Sequence, residues 1–176
     1  MTYNLEQFVI SEEVLNRLGD GDILAAEMLE GKNLQQIFGF SNETALLFYE
    51  VAKNILEQKR AKDAVNAFIF LTTINPYISS FWMGLGMAHQ LNQEHDEALD
   101  SYNTALTLEG EQIFPYIVAS QCCIEMKEFD KATEVIELAE TYAAEHPDDE
   151  TSAKLAEDAK AAKAYVWEQK MKGKDR

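Results

Sequence analysis

The chain has 176 residues and a formal net charge of −16, with 31 Asp and Glu against 15 Lys and Arg. That length suits one domain or a compact array with a continuous core. The acidity argues against nucleic acid as a partner, because a phosphate backbone would be repelled. Three prolines and eight glycines among abundant Ala, Leu, Glu and Lys favour helix, and the absence of any run approaching about 18 apolar residues argues against membrane insertion.

Met1 to Ile10 lacks a basic region followed by an apolar run, so no signal peptide is expected. Ser11 can cap a short helix to Leu18, ended by Gly19. Asp20-Gly21-Asp22 punctuates, and Ile23 to Leu29 makes a second amphipathic stretch before Gly31. Phe8, Val9, Val14, Leu15, Leu18, Ile23, Leu24, Met28 and Leu29 are too many apolar residues for a free tail. They either pack on the first helical repeat, at residues 45–78, or meet a second copy of the protein, so residues 1–40 form an N-terminal helical segment in which a homodimer contact is one of two expectations. Leu34 to Phe40 is a short apolar link closed by Gly39, after which Ser41 or Asn42 caps a helix to about Gln58.

Lys59-Arg60 falls at a tight turn and Ala61 to Ile74 makes the partner helix. Asn75 precedes Pro76 and is pushed out of helical geometry. Further hairpins turn near Asn92–His95 and Lys127–Phe129. Asp148 and Asp149 are expected to start a last helix to about Lys172, with Asp148, Asp149 and Glu150 at its front and Lys170, Lys172 and Lys174 at its back, as the helix dipole prefers. Its apolar stripe is Leu155, Ala159, Ala162 and Val166, narrow enough for a capping helix with one wet face.

The middle of the chain carries a repeat. Trp82, Leu85 and Gly86 stand at the spacing Trp-x-x-Leu-Gly-x-x-Tyr, with His89 in the last place, followed by Ala98, Tyr102 and Ala105. On a helix, Trp82, Leu85 and His89 share one face, and Gly86 lets a second helix with small residues of its own approach closely. A step of 34 residues backward gives Phe48, Val51, Ala52, Ile55, Ala64, Phe68, Leu71 and Pro76; the same step forward gives Tyr116, Ala119, Ser120, Cys123, Ala132, Ile136, Ala139 and Ala144. Small places stay small, except Leu71, and bulky places stay bulky. That is the tetratricopeptide (TPR) pattern. The predicted fold is all-α: three tandem TPR hairpins (residues 45–78, 79–112 and 113–146) forming an α-solenoid, with the N-terminal segment before them and the capping helix, 148–172, after.

Stacked hairpins curve, and the second, fifth, ninth and twelfth places of each first helix face the inside of the curve. Those places read Leu46, Tyr49, Lys53 and Leu56; Ser80, Met83, Met87 and Gln90; and Phe114, Ile117, Gln121 and Ile124. Most are apolar although they should face solvent, which suits a groove for an extended apolar peptide; Met83 and Met87 at its centre would adapt to more than one ligand. Heat-shock co-chaperones need a Lys, Asn and Arg carboxylate clamp at the fifth and ninth places. Tyr49/Lys53, Met83/Met87 and Ile117/Gln121 cannot make it.

No sign of catalytic chemistry accompanies this pattern. His89, His95 and His146 share no metal-ligand spacing with one another or with the cysteines, and no phosphate loop or nucleophile elbow stands out, so neither cofactor nor metal is expected. His89 occupies a packing place. Cys122 and Cys123 are adjacent on one helix and unsuited to an ordinary disulfide, which fits a reducing cytoplasm. Cys123 faces the core, and Cys122 has Glu125 and Glu128 rather than a base nearby.

Ser41-Asn42-Glu43-Thr44 leading into Tyr49, Phe81-Trp82-Met83-Gly84-Leu85-Gly86, and Phe114-Pro115-Tyr116 with Ala119 and Cys122 carry a further likeness. Over residues 34–170 the chain resembles the class II chaperones of bacterial type III secretion, the SycD/LcrH/IpgC type. The resemblance implies a cytoplasmic chaperone for the hydrophobic translocator proteins that form a pore in the host membrane. It also implies a groove that binds a short N-terminal translocator segment of Pro-x-Leu-x-x-Pro character, and N-terminal helices that can mediate dimers. Tyr49 matches a groove tyrosine of that family, whereas Lys53 and Leu56 replace aromatic residues often found there. The alternative from the residues alone is a TPR adaptor or scaffold for a cytosolic complex, acting through an acidic surface; residues 94–150 hold 16 Asp and Glu against Lys127 and Lys131.

Overall fold

The computed structural model describes residues 9–108, 114–148 and 151–174. They form ten helices: α1 (Glu12–Leu18), α2 (Gly21–Leu29), α3 (Leu34–Ile37), α4 (Asn42–Glu57), α5 (Ala61–Ile74), α6 (Ser79–Leu91), α7 (His95–Leu108), α8 (Phe114–Glu125), α9 (Phe129–Glu145) and α10 (Ser152–Lys174). Phe8 of the apolar N-terminal set lies outside the described residues, as do Asp149 and Glu150 at the expected start of the last helix. Helices α4 to α9 pair as three antiparallel hairpins, α4–α5, α6–α7 and α8–α9, each packed on the next, and α10 closes the array on α9. No strand occurs among the described residues.

The three hairpin turns use one device. Lys59, Gln93 and Lys127, spaced 34 residues apart, adopt φ of 59°, 65° and 62°. The residue after each donates its N–H back across the helix end: Arg60 to the Ile55 carbonyl (3.3 Å), Glu94 to His89 (2.9 Å) and Glu128 to Cys123 (2.9 Å). These six-to-one bonds are Schellman caps, normally built on glycine because left-handed φ crowds a Cβ. Here the closure of each hairpin imposes that conformation on long polar residues, at a cost of about 1 kcal/mol each.

Within the hairpins, missing side chains decide how closely the helices approach. A Cβ on Gly86 would overlap the ring of Tyr102, and one on Gly84 would overlap the ring of Phe68. Gly86 therefore seats the partner helix of its own hairpin, and Gly84 seats the preceding hairpin. Tyr102 and Phe68 are fully buried as a result. The seventh place of each repeat packs backward: Leu85 joins the cluster of Ala52, Phe68 and Leu71, and Ala119 that of Ala98 and Tyr102. Val51 stands at the same place in the first hairpin, where the repeat predicts a packed residue, yet it is 48% exposed. No hairpin precedes it, and nothing in α1 or α2 covers it.

Polar groups hold the entry to the array. Buried Gln35 donates through Nε2 to Asn42 Oδ1 (3.0 Å) and accepts from Asn75 Nδ2 (2.8 Å), tying α3 to the start of α4 and the end of α5. Ser41, not Asn42, caps α4, accepting from the Thr44 N–H at 3.1 Å. Trp82 packs at the core edge and also donates its indole N–H to the Pro76 carbonyl at 2.7 Å.

Helices α1 and α2 bury none of their residues. An Arg17–Glu27 ion pair joins them, while Val9, Leu15, Ile23, Met28 and Leu29 stay exposed, Leu29 at 89%. Of the two destinations foreseen for these side chains, packing on the first repeat is not the one observed.

The last helix starts later than its acidic residues suggest. The Thr151 carbonyl accepts the first helical bond, from Leu155 N–H at 2.9 Å, so α10 begins at Ser152 and its first turn holds no acid. Asp148 precedes it in the link after Pro147. Leu155, Ala159 and Val166 are buried against α9 with Ala162 beside them. Two exposed pairs, Lys163–Glu140 (2.6 Å) and Lys170–Asp130 (2.8 Å), lie along this seam; solvent screens both, so they orient the seam more than they stabilise it.

Candidate functional site

The first helices of the three hairpins, α4, α6 and α8, lie side by side, and two cavities open between them. The first, about 360 Å³, lies between α4 and α6 and is lined by Tyr49, Lys53, Leu56, Glu57, Phe68, Ser80, Met83, Gly84 and Met87. The second, about 600 Å³, lies between α6 and α8 and is lined by Met87, Gln90, Leu91, Gln93, His95, Val118, Gln121 and Glu125. Met87 belongs to both, so the two form one trough.

The inward-facing places do not behave alike. Tyr49, Lys53, Leu56, Ser80, Met83 and Met87 meet in the first cavity, and Met87, Gln90 and Gln121 in the second. Leu46, 57% exposed, lines neither. Ile117 and Ile124 are half-buried against the core of the last hairpin and α10. Phe114 opens α8, but its side chain lies outside the described residues.

The first cavity is apolar because of how its walls pack. Phe68 comes from the back helix α5 and reaches the cavity through the space left by Gly84. Tyr49 stands edge-on to it (centroids 6.1 Å, planes at 74°) and tilted against Phe81 (5.6 Å), so its ring is both cavity wall and core. Lys53 lays its ammonium 5.6 Å from the centre of the Tyr49 ring and 3.4 Å from Glu50. Its stem extends the apolar wall while its charge stays wet.

The second cavity is mixed, with a chain of polar side chains along one wall. Tyr102 donates its hydroxyl to Gln90 Oε1 (3.0 Å), Gln90 Nε2 donates to Glu125 Oε2 (3.1 Å), and Gln121 Nε2 donates to Glu125 Oε1 (3.3 Å). The chain of bonds runs from a core tyrosine to a carboxylate in the trough.

Phe68, Gly84, Glu57, Leu91, Gln93, His95, Val118 and Glu125 are lining residues that the repeat places do not indicate. For Gly84 a signal exists, since a second glycine two before Gly86 has no role within its own hairpin. Glu125 follows the twelfth place of its repeat by one residue. Phe68 reads as pure packing from its position.

Outside the trough, His89 is half-buried with Nδ1 2.7 Å from Glu94 Oε2. The Asn92 side chain, and then His89, hold the Glu94 carboxyl below its ordinary range. Among the described residues no three of His, Cys, Asp and Glu lie close enough to hold a metal, and no helix is long and apolar enough to cross a membrane.

Cys122 and Cys123 are both buried and unpaired. Burial, and then the negative charge of Glu125, push the Cys122 thiol from its ordinary 9.0 to about 12; burial raises Cys123 too. Neither is a thiolate at neutral pH, so neither is a ready nucleophile. The shift has a sign for stability. Between pH 9 and 12 the unfolded chain loses the Cys122 proton and the folded chain keeps it, so this contribution is complete below about pH 9 and lost as pH rises toward about 12. The urea midpoint is expected to fall over that window, and to fall less steeply in Cys122→Ala. Parallel falls in the two proteins would show that the thiol does not contribute.

No family model matches the chain. It is similar to the Low calcium response locus protein H of Yersinia pseudotuberculosis, 27% identical over 119 residues, which is 67% of this chain and 70% of that protein. Among solved structures it resembles a chain in a T3SS complex from Aeromonas hydrophila, with a TM-score of 0.74 and 22% identity over 84% of this chain and 96% of the other. It also resembles the Yersinia enterocolitica type III secretion chaperone SycD bound to a peptide of the translocator YopD, with a TM-score of 0.64 and 23% identity over 74% and 97% of the two chains. These structural likenesses establish a shared all-helical fold.

Proposed function

We propose that the chain is a class II type III secretion chaperone, of the kind that Low calcium response locus protein H and SycD represent. It binds an extended, N-terminal apolar segment of a hydrophobic translocator in the trough and keeps that client soluble and unassembled before export. The observation that carries this reading is the apolar cavity of Tyr49, Leu56, Phe68, Met83 and Met87 between the first two repeats. A cavity of about 360 Å³ accepts one or two aliphatic side chains, and each buried anchor contributes about 1.5–3 kcal/mol before the cost of ordering the peptide. A few such anchors reach micromolar affinity, tight enough to hold and weak enough to release. No nucleotide or catalytic step is needed.

In this reading the working parts are an N-terminal segment (1–40), three repeats (45–78, 79–112 and 113–146) and the closing helix. Leu46, Ile117, Ile124 and Phe114 would extend the trough at its margins. The exposed Val9, Leu15, Ile23, Met28 and Leu29 support a homodimer through the N-terminal segment, and the place of action is the bacterial cytoplasm.

Co-expression with a hydrophobic translocator tests the function. The translocator is expected in the soluble fraction, co-eluting with the chain on size exclusion, and to precipitate when its N-terminal segment is deleted. A translocator equally insoluble with and without the chain would refute the reading.

A further inference from the structure

We infer that the second cavity is a cation subsite, which takes a lysine or arginine of the bound segment beside the apolar anchor held by the first. The inference rests on the groove reading above and specifies the client's chemistry. Its centre is Glu125. The carboxylate accepts from Gln90 Nε2 at 3.1 Å and from Gln121 Nε2 at 3.3 Å. Both donors are neutral amides, which orient the group and leave its charge uncancelled. Two oxygens offer about four lone-pair sites, so two amide bonds leave room for further donors. No Lys or Arg is among the residues lining this cavity.

His95 stands beside this carboxylate. Its Nδ1 is buried without a hydrogen-bond partner and stands 3.6 Å from Glu125 Oε2, too far for a hydrogen bond. A guanidinium or ammonium supplies several donors and a positive charge; a neutral apolar side chain supplies neither and would strip water from Glu125 without compensation. The negative groups along α7 and α9 add a long-range field of the same sign. The apolar surface of Met87 and Val118 in the same cavity suits the methylene stem of such a side chain.

The geometry also sets a spacing. Neighbouring first helices pack about 10 Å apart, and an extended chain advances about 3.3 Å per residue, so the basic residue belongs about three positions from the anchor.

Fluorescence anisotropy with synthetic 12-residue peptides tests this. Each carries one leucine anchor and, three or four positions to either side of it, lysine, arginine, norleucine or glutamate. In one arrangement, lysine and arginine peptides are expected to bind about tenfold tighter than norleucine, the scale of one charge-assisted hydrogen bond. Glu125→Gln, which keeps the side chain's shape, should reduce the lysine peptide to the affinity of the norleucine peptide. Glu125→Lys should shift the preference to glutamate. Lysine and norleucine peptides of equal affinity, with binding still lost on leucine-to-alanine replacement, would overturn the cation subsite and leave the groove standing. A lysine preference that survives Glu125→Gln would also overturn it. If no peptide binds and changing the leucine has no effect, the groove reading fails and the subsite with it.

Discussion

Phe68→Ala is expected to lower the stability of the protein by about 3–5 kcal/mol, the range for emptying a fully buried aromatic site. The ring is fully buried, contacts Tyr49 edge-on and fills the space left by Gly84 on the next hairpin. It is therefore a joint between the first two repeats as well as a cavity wall. Arrays of this kind depend on the interface between neighbours, because each hairpin alone cannot bury its own face. A urea titration followed by far-UV circular dichroism measures the loss, and a cost below about 1 kcal/mol would show that the ring does not hold the repeats together. A second substitution identifies the partner. Gly84→Ala clashes with Phe68 in the wild-type protein but not once the ring is gone, so the double mutant is expected to be more stable than the sum of the two losses predicts, by about 1 kcal/mol or more.

Met83→Glu is expected to weaken binding of an apolar translocator segment at least about tenfold, because it sets a hydrated carboxylate where the apolar anchor must sit, and that charge gives up water when the segment binds. Met83 lines that cavity with Tyr49, Leu56 and Phe68 and is only half-buried, so the helical signal should persist. Met87, 38% exposed and shared by both cavities, provides the milder companion: Met87→Ala removes contact area alone and should cost about threefold to fivefold. Calorimetry against the N-terminal segment of a translocator checks both. Wild-type affinity in both variants would remove the trough from the binding site. Tyr49→Ala is the less informative choice, because its ring also supports Phe68 and Phe81 and its loss would mix stability with binding.

Much of the helical array was legible because its code is local. The places of Trp82, Leu85 and Gly86 recur with a 34-residue period, bulky or small in turn, and a helix turns that spacing into one packing face wherever it occurs. Ala61–Ile74 could be bounded from the sequence because Pro76 stops the helix and a tight turn begins it. The turns themselves were harder to read. Lys59, Gln93 and Lys127 carry left-handed φ values without the glycine that normally announces them, since hairpin closure rather than residue preference selects the conformation. The start of α10 was misplaced for a related reason. Acidic residues favour a helix N-terminus, but Asp148 lies before the start and the carbonyl of Thr151 accepts the first bond.

The amino-acid sequence by itself determined the helices, their period, the small residues at the close crossings and the inward places of the first helices, because each depends on spacing along one helix. Only the tertiary structure decided which of those places line a cavity. Phe68 enters the first cavity from a back helix through the gap at Gly84, and Glu125 enters the second held by amides from two different repeats. Ile117 and Ile124 share the inward register with Met83 and Met87, yet pack against the last hairpin and α10. Val51 occupies a packing place with no hairpin before it to pack against. A repeat pattern describes what each hairpin offers its neighbours, but exposure, cavity shape and local charge arise between hairpins, where residues far apart in the chain set the distance and the surroundings.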